Sequence, residues 1–339
     1  MIVVISHPED AHAMRVIRCL EERGEPVLLL DLAQLPRHAT LTVDYRHGPR
    51  PQIRYRQADG TIHALHDASA VWWRRPQAPD LSEVTDPQTH LFTANEWNEA
   101  LNGLWQLLQD ARWMNEPNRD DAASRKARQL RVAAEVGLRT PRTLITSDPD
   151  EARGFIRDLA PRDVIYKTFS CTHAIWRETR MLREADHAQL DTVQVAPVIF
   201  QEYVPARADL RVTAVDGRLF PAAIAWTPRD GSIDFRRNVG EATITAEVLP
   251  KEVQDRVLAL MERLGLVYGA IDLRRTPDDE YYFFEVNTAG EFLFIEDRTG
   301  LPIASAIADW LAERALSLPD AVPRASARRR AMPMDTIAS

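Results

Sequence analysis

The chain opens "MIVVISHPEDAHAMRVIRCLEERGEPVLLLD": an apolar run ending at Ser6, a helical stretch ending near Gly24, and a second apolar run from Val27 to Leu30. Two strands joined through a helix pair in parallel, so this start predicts a βαβ unit. No G-x-G-x-x-G follows the first strand, so the unit is not a dinucleotide fingerprint. "QIRYRQ" and "TIHAL" flank "ADG" and predict a hairpin. "SAVWWRRP" predicts a short buried strand ending in Arg74 and Arg75, and a long helix is expected over 91–110, with Leu101, Leu104, Trp105 and Leu108 at helical spacing. This first unit is expected to close near "WMNEPNRD".

The pattern then changes. "DAASRKARQLRVAAEVG" predicts a helix stopping at Gly137, "TPRTLIT" a strand, "DPDEARGFIRDL" a helix capped by Asp148, and "DVIYKTF" another strand. "APVIFQEYV", "ADLRVTAVDGRLFPAAIAW" and "SIDFRR" predict antiparallel strands with turns at "VDGR" and "RDG". A helix over Pro250 to Leu264 leads into the strands "VYGAIDLRR" and "EYYFFEVN", and "PIASAIADWLAERAL" predicts a last helix. After Leu316 the chain is rich in Pro, Ala, Ser and Arg, which predicts a disordered tail. There is no internal repeat.

At 339 residues the chain suits two or three packed subdomains of α/β (α+β) class. Its net charge of −8 argues against a general nucleic-acid binder. Cys19 and Cys171 stand far apart, which excludes a disulfide framework and zinc-site spacing. No signal-peptide core and no run of roughly 20 apolar residues is present, so a cytoplasmic protein without a membrane span is expected.

The last two strands carry the chemistry. If their hairpin closes with Arg275 opposite Glu280, Asp272 faces Phe283, and Phe283, Glu285 and Asn287 share its side of the sheet. Asp272 and Glu285 are then diagonal neighbours, roughly 7–8 Å apart. Two such carboxylates repel unless a cation sits between them, and an adjacent amide oxygen favours a hard ion such as Mg²⁺. The plainer reading makes Glu285 and Asn287 a solvated strand end. Mg²⁺ held by one or two carboxylates usually carries nucleotide phosphates as well. Lys167, ending an apolar strand, suits a phosphate contact, and Lys126 lies in the helix before it. "FQEYV" offers the backbone of Gln201, Glu202, Tyr203 and Val204 to an adenine edge and a carboxylate to ribose. Asp209 and Arg211 share a strand face, and "FRRN" supplies Arg236, Arg237 and Asn238. Each alone could be a solvated strand end or a wet strand face.

Lys126, "YK" at Lys167, "QEYV", "DLRV", "FRRN", "AIDL" and "FEVN" resemble, in this order, the motifs of the ATP-grasp superfamily over about residues 115–315. "SAVWWRRP", "VYGAIDL" and "FEVNTAGEFLFIEDRTGLPIASAIADWL" resemble more narrowly the graspetide synthetases, the microviridin-type peptide macrocyclases. The resemblance implies a pre-ATP-grasp domain over 1–117, a central subdomain over 118–199, a C-terminal antiparallel-sheet catalytic subdomain over 200–316 and a tail over 317–339. It implies ATP binding by Lys126, Lys167, Gln201, Glu202, Tyr203, Val204 and Asp209, and Mg²⁺ binding by Asp272, Glu285 and Asn287. Arg211 and Arg236, with Asn238 beside them, would steady the γ-phosphate and an acyl phosphate, and Arg74 would reach an acidic substrate. The activity implied is activation of Asp or Glu side chains of a precursor peptide and closure of esters or amides with its Thr, Ser or Lys side chains. A leader segment would dock near "PAAIAWTPRDGSIDFRR", and a homodimer is implied.

One departure stands out: "KTFSCTHAIWRETR" follows Lys167 without the glycine-rich loop of many ATP-grasp enzymes. Two other functions remain open, a ligase of free amino acids or of a protein C-terminus and a non-catalytic nucleotide- or peptide-binding protein. His7 and His12 read as solvated helix-start residues, and His63 and His66 fall on opposite strand faces, so neither pair suits a metal. Trp72, Trp73, Trp97 and Trp105 read as core, and "ARRR" in the tail as a solvated charge run.

Overall fold

The computed structural model describes residues 1–46, 48–169, 179–225 and 240–313. The segment "SIDFRR", with Arg236 and Asn238, most of the proposed leader-docking stretch, Cys171 and the tail lie outside the described residues.

The chain starts β1 (Ile2–Ile5), α1 (Ala11–Glu22), β2 (Val27–Leu30), with β1 and β2 parallel as expected. Asp10 caps α1 by accepting from the His12 N–H, and Gly24 (φ +73°) turns the chain after the helix. Next come β3 (Ala39–Asp44), β4 (Gln52–Gln57) and β5 (Ile62–Ala64). The β4–β5 hairpin is the expected one, and β3 joins it in a three-stranded antiparallel sheet. β6 (Ala70–Trp73), α2 (Pro87–Leu107) and β7 (Arg112–Met114) complete a parallel sheet of order β2-β1-β6-β7.

The helix expected over "DAASRKARQLRVAAEVG" is two helices, α3 (Pro117–Ser124) and α4 (Lys126–Glu135), broken at Arg125, whose backbone is extended (φ −71°, ψ 109°). Then follow β8 (Thr143–Thr146), α5 (Pro149–Leu159), β9 (Val164–Lys167), β10 (Arg180–Met181) and β11 (Val198–Glu202), in an antiparallel sheet of order β10-β9-β11-β8. A third region holds β12 (Ala208–Val215), β13 (Arg218–Ala225), β14 (Thr243–Ala246), α6 (Lys251–Leu264), β15 (Tyr268–Arg275) and β16 (Tyr281–Asn287). Its five-stranded sheet has the order β14-β13-β12-β15-β16. Asp216 and Gly217 turn β12 into β13 with positive φ at both positions. α7 (Leu293–Thr299), not expected from the sequence, precedes α8 (Ile303–Ala312).

The core joins these sheets rather than filling each separately. Val16 and Leu20 of α1, Val4 of β1 and Trp72 of β6 pack in one cluster with Phe220, Ile224, Tyr268, Ile295 and Ile307 from the C-terminal sheet and its helices. A second cluster seats Val132 of α4 and Val257, Leu260 and Leu264 of α6 on the other face, against Leu210, Val212, Ile271, Leu273, Phe283 and Val286. β12, the middle strand, is therefore buried along its whole length, charged residues included.

Because the first cluster is shared between the N-terminal and C-terminal sheets, Ile307→Ala is expected to cost roughly 2–5 kcal/mol and to lower both together. Denaturant unfolding followed by tryptophan fluorescence and by far-ultraviolet dichroism should shift in step; two separated transitions would contradict a shared core.

Candidate active site

The β15–β16 hairpin differs from the sequence expectation in register. Arg275 pairs with Tyr281 rather than Glu280, and a bulge leaves Phe284 without a partner, so that Leu273 faces Phe283 but Asp272 faces Glu285 directly. Phe283 accordingly joins Leu273 and Val286 in the core instead of sharing a side with Glu285. The two carboxylates are not diagonal neighbours but opposed ones, a pairing that like charges disfavour.

Two cations offset that repulsion. Arg211, opposite Asp272 on β12, donates from Nη1 to Asp272 Oδ1 at 2.7 Å and from Nη2 to the Glu291 carbonyl at 3.2 Å. Lys126, at the start of α4, forms an ion pair with Glu285. Asn287 Nδ2 lies 3.3 Å from Asp272 Oδ2 and 3.5 Å from Glu285 Oε1. Arg211 is 7 % exposed, which rules out the wet-face reading of β12. Burial works against its charge, but the adjacent Asp272 outweighs burial and holds its pKa above the usual arginine value. Its Nε is buried with no hydrogen-bond partner among the described residues.

Lys126, Arg211, Glu285 and Asn287 line a cavity of about 870 Å³, together with Arg75 and Phe169. Two carboxylates on one face, joined by the Asn287 carboxamide once its oxygen is turned toward them in place of Nδ2, would form an all-oxygen donor set suited to Mg²⁺. Among the described residues no cluster of three or more His, Cys, Asp or Glu could enclose an ion.

The other expected residues lie on the central sheet and the strand after it. Lys167 ends β9 opposite Ile199, near the start of β11, whereas Gln201 and Glu202 end β11 opposite Ile165 and Val164. The Tyr203 N–H donates to the Asp163 carbonyl at 2.8 Å, and the Val204 carbonyl accepts from Arg274 Nη1 at 2.9 Å, so the backbone of this segment is less open to an adenine than expected. Glu202 pairs with Arg162 at 2.6 Å. Gln201 Nε2 donates to Thr143 Oγ1, while its Oε1 is buried without a partner among the described residues. Asp209 accepts from Arg274 Nε at 2.7 Å, and the Arg274 guanidinium lies near the rings of Tyr203 and Phe284.

Arg74 is a correction. It is 1 % exposed, with Nε on Asp10 Oδ2 at 3.1 Å and Nη1 on the Gly290 carbonyl at 2.8 Å. A side chain so enclosed does not meet a peptide; its neighbour Arg75 lines the cavity and pairs with Glu291 at 3.2 Å. His12 is a second correction, being buried rather than solvated. Its Nδ1 lies 3.3 Å from the N–H groups of both Phe292 and Leu293. Arg274 and Gln129, which brackets Val286 by bonds to its N–H and carbonyl, were not expected. Gln129 was traceable, lying three residues after Lys126 on the same helix face.

Residues 123–311 match the profile described as "RimK-like ATP-grasp domain". The chain belongs to the RimK-like ATP-grasp family. It is thus an ATP-grasp ligase, and enzymes of this class use ATP and Mg²⁺. Residues 1–121 match the "MvdD pre-ATP grasp domain". The fold is similar to that of the macrocyclase MdnC bound with precursor peptide MdnA from Microcystis aeruginosa, with TM-score 0.81 and 29 % identity over 92 % of this chain and 99 % of that one. It is also similar to a RiPP-associated ATP-grasp ligase of Chryseobacterium gregarium in complex with ADP and a leader and core peptide, with TM-score 0.83 and 26 % identity over 92 % and 97 %. In sequence it is 28 % identical over 211 residues to a probable alpha-L-glutamate ligase of Klebsiella pneumoniae, covering 60 % of this chain and 68 % of that protein. Among the described residues of this ATP-grasp ligase, no helix is long and apolar enough to cross a membrane.

Two outcomes are expected. Glu285→Gln should lower ADP release at least about 100-fold with the unfolding midpoint little changed; turnover unaltered at saturating Mg²⁺ would contradict the ligand assignment. Burial, reinforced by Arg74, lowers the His12 pKa from 6.5 to about 4. The unfolded chain then binds the proton more readily, so this contribution is complete above the unfolded value and is lost as pH falls toward 4. Urea unfolding should show a loss of about 2 kcal/mol between about pH 7 and pH 5, absent in His12→Gln.

Proposed function

We propose that this ATP-grasp ligase activates Asp or Glu side chains of a ribosomally made precursor peptide and joins them, as esters or amides, to Thr, Ser or Lys side chains of the same peptide. The observation that carries the reading is the match of the N-terminal unit, residues 1–121, to the MvdD pre-ATP grasp domain, together with the likeness to MdnC at TM-score 0.81 over 92 % of this chain. In sequence the glutamate ligase matches 60 % of it. That glutamate ligase supports a second reading, addition of an amino acid to a small molecule or a protein C-terminus.

The residues suit the chemistry. A carboxylate reacts with a hydroxyl only after one of its oxygens becomes a leaving group. Transfer of the γ-phosphoryl forms a carboxylate-oxygen-to-phosphorus bond and releases ADP. The hydroxyl or amine then attacks the acyl carbon, loses its proton, and expels phosphate. Asp272, Glu285 and Asn287 would hold Mg²⁺, which when bound neutralises charge on the phosphates. Arg211, buried and held cationic by Asp272, offers fixed positive charge beside these residues. Lys126 is paired to Glu285 and can pass to phosphate when that carboxylate engages the cation. Lys167, Gln201, Glu202, Tyr203, Val204 and Asp209 would receive the nucleotide, with Arg236 and Asn238 assigned to the same reaction. The enzyme is taken to act in the cytoplasm, as a homodimer.

Incubation of the enzyme with ATP, Mg²⁺ and a precursor peptide containing leader, Thr or Ser, and Asp or Glu tests this directly. Mass spectrometry should show loss of one water per link with stoichiometric ADP. ADP formed with free glutamate, and a glutamate residue added to the acceptor, would instead establish the second reading.

A further inference from the structure

The segment after Asn287, "TAGEFL" over 288–293, lies against Arg211 and is held almost entirely by side chains from far earlier in the chain. Asn115 Nδ2 donates to the Thr288 carbonyl at 3.2 Å, while its Oδ1 accepts from the N–H groups of Val267 and Tyr268. The Gly290 carbonyl receives two donors, Arg74 Nη1 at 2.8 Å and the Tyr268 hydroxyl at 2.7 Å. His12 receives the Phe292 and Leu293 N–H groups. The Glu291 carbonyl between these anchors accepts from Arg211. A Cβ at Gly290 would stand 2.3 Å from Ala270 Cβ and 3.0 Å from Arg211 Nη2, so the loop approaches the arginine as closely as a backbone can.

We propose that Arg74 is a positioning residue: by fixing the Gly290 carbonyl it sets the Glu291 carbonyl on which Arg211 rests, and so couples the N-terminal unit to the reacting centre. The claim rests on the role given to Arg211 above. The guanidinium is suited to this because its planar fork reaches Asp10 through Nε and Gly290 through Nη1 at once, which a single ammonium cannot reproduce. The anchor is rigid. Asp10 is itself fixed by Ser6 Oγ at 3.0 Å and by the α1 cap, and neither side chain of the Arg74–Asp10 pair is exposed. A small displacement of Arg211 matters because misplacing a charge-stabilising group by about 1 Å can cost about 100-fold in rate.

Arg74→Lys and Tyr268→Phe test the claim, the second removing one hydroxyl in case the first does not fold. Two readouts are used: steady-state ADP release with the precursor peptide, and amide hydrogen exchange over 290–293. Expected is a fall in kcat of about 10- to 100-fold with the peptide KM within about twofold, and faster exchange of the Phe292 and Leu293 amides, in every variant that folds. A raised peptide KM with kcat unchanged would overturn the proposal in favour of direct substrate contact, and so would unchanged exchange in a folded variant. The exchange readout needs no peptide. If the wild type releases no ADP with the peptide yet the variants loosen the loop, the peptide-ligase reading falls and the coupling stands.

Discussion

Two carboxylates that face each other across a pair of strands are the constraint around which the site is organised. The bulge at Phe284 brings Asp272 and Glu285 into direct opposition, where two carboxylates repel unless positive charge lies nearby. Arg211 from β12 and Lys126 from α4 supply it, so two elements distant in sequence converge on one hairpin. The bulge also turns Phe283 into the apolar cluster beneath, which anchors the hairpin while its polar side faces the cavity. Packing and charge thus depend on the same one-residue irregularity.

The second structural theme is the dependence of this hairpin on the N-terminal unit. The shared apolar cluster fixes α1 and β6 against the C-terminal sheet and α8. Ordered polar contacts from His12, Arg74 and Asn115 are then made across a buried interface, where unpaired groups would be costly. A neutral His12 suits this setting, because its Nδ1 serves as acceptor for two backbone N–H groups.

Much of this was legible in the sequence where the signal is local. The βαβ start, the β4–β5 hairpin and the helix capped by Asp148 follow from periodicity and capping chemistry. Asp272, Glu285 and Asn287 were recognisable as a set from their positions in two adjacent strands. The bulge was not legible, because an extra residue in one strand leaves no mark in the sequence of either. The break at Arg125 carries no glycine or proline to announce it. Arg74 and His12 read as surface residues because what buries them lies 216 and 280 residues away, respectively, and no local pattern reports such a partner. Arg274 was passed over for a related reason: its meaning comes from Asp209, Tyr203 and Val204 together.

The central claim is that the opposed Asp272 and Glu285, with Asn287, form a divalent-cation site facing nucleotide phosphates. A crystal structure with Mn²⁺ and a non-hydrolysable ATP analogue tests it most directly. The account predicts an anomalous peak bridging Glu285 and Asp272 oxygens to the phosphates, with Lys126 displaced from Glu285. A peak confined to the phosphates, with the Lys126–Glu285 pair intact, would contradict it.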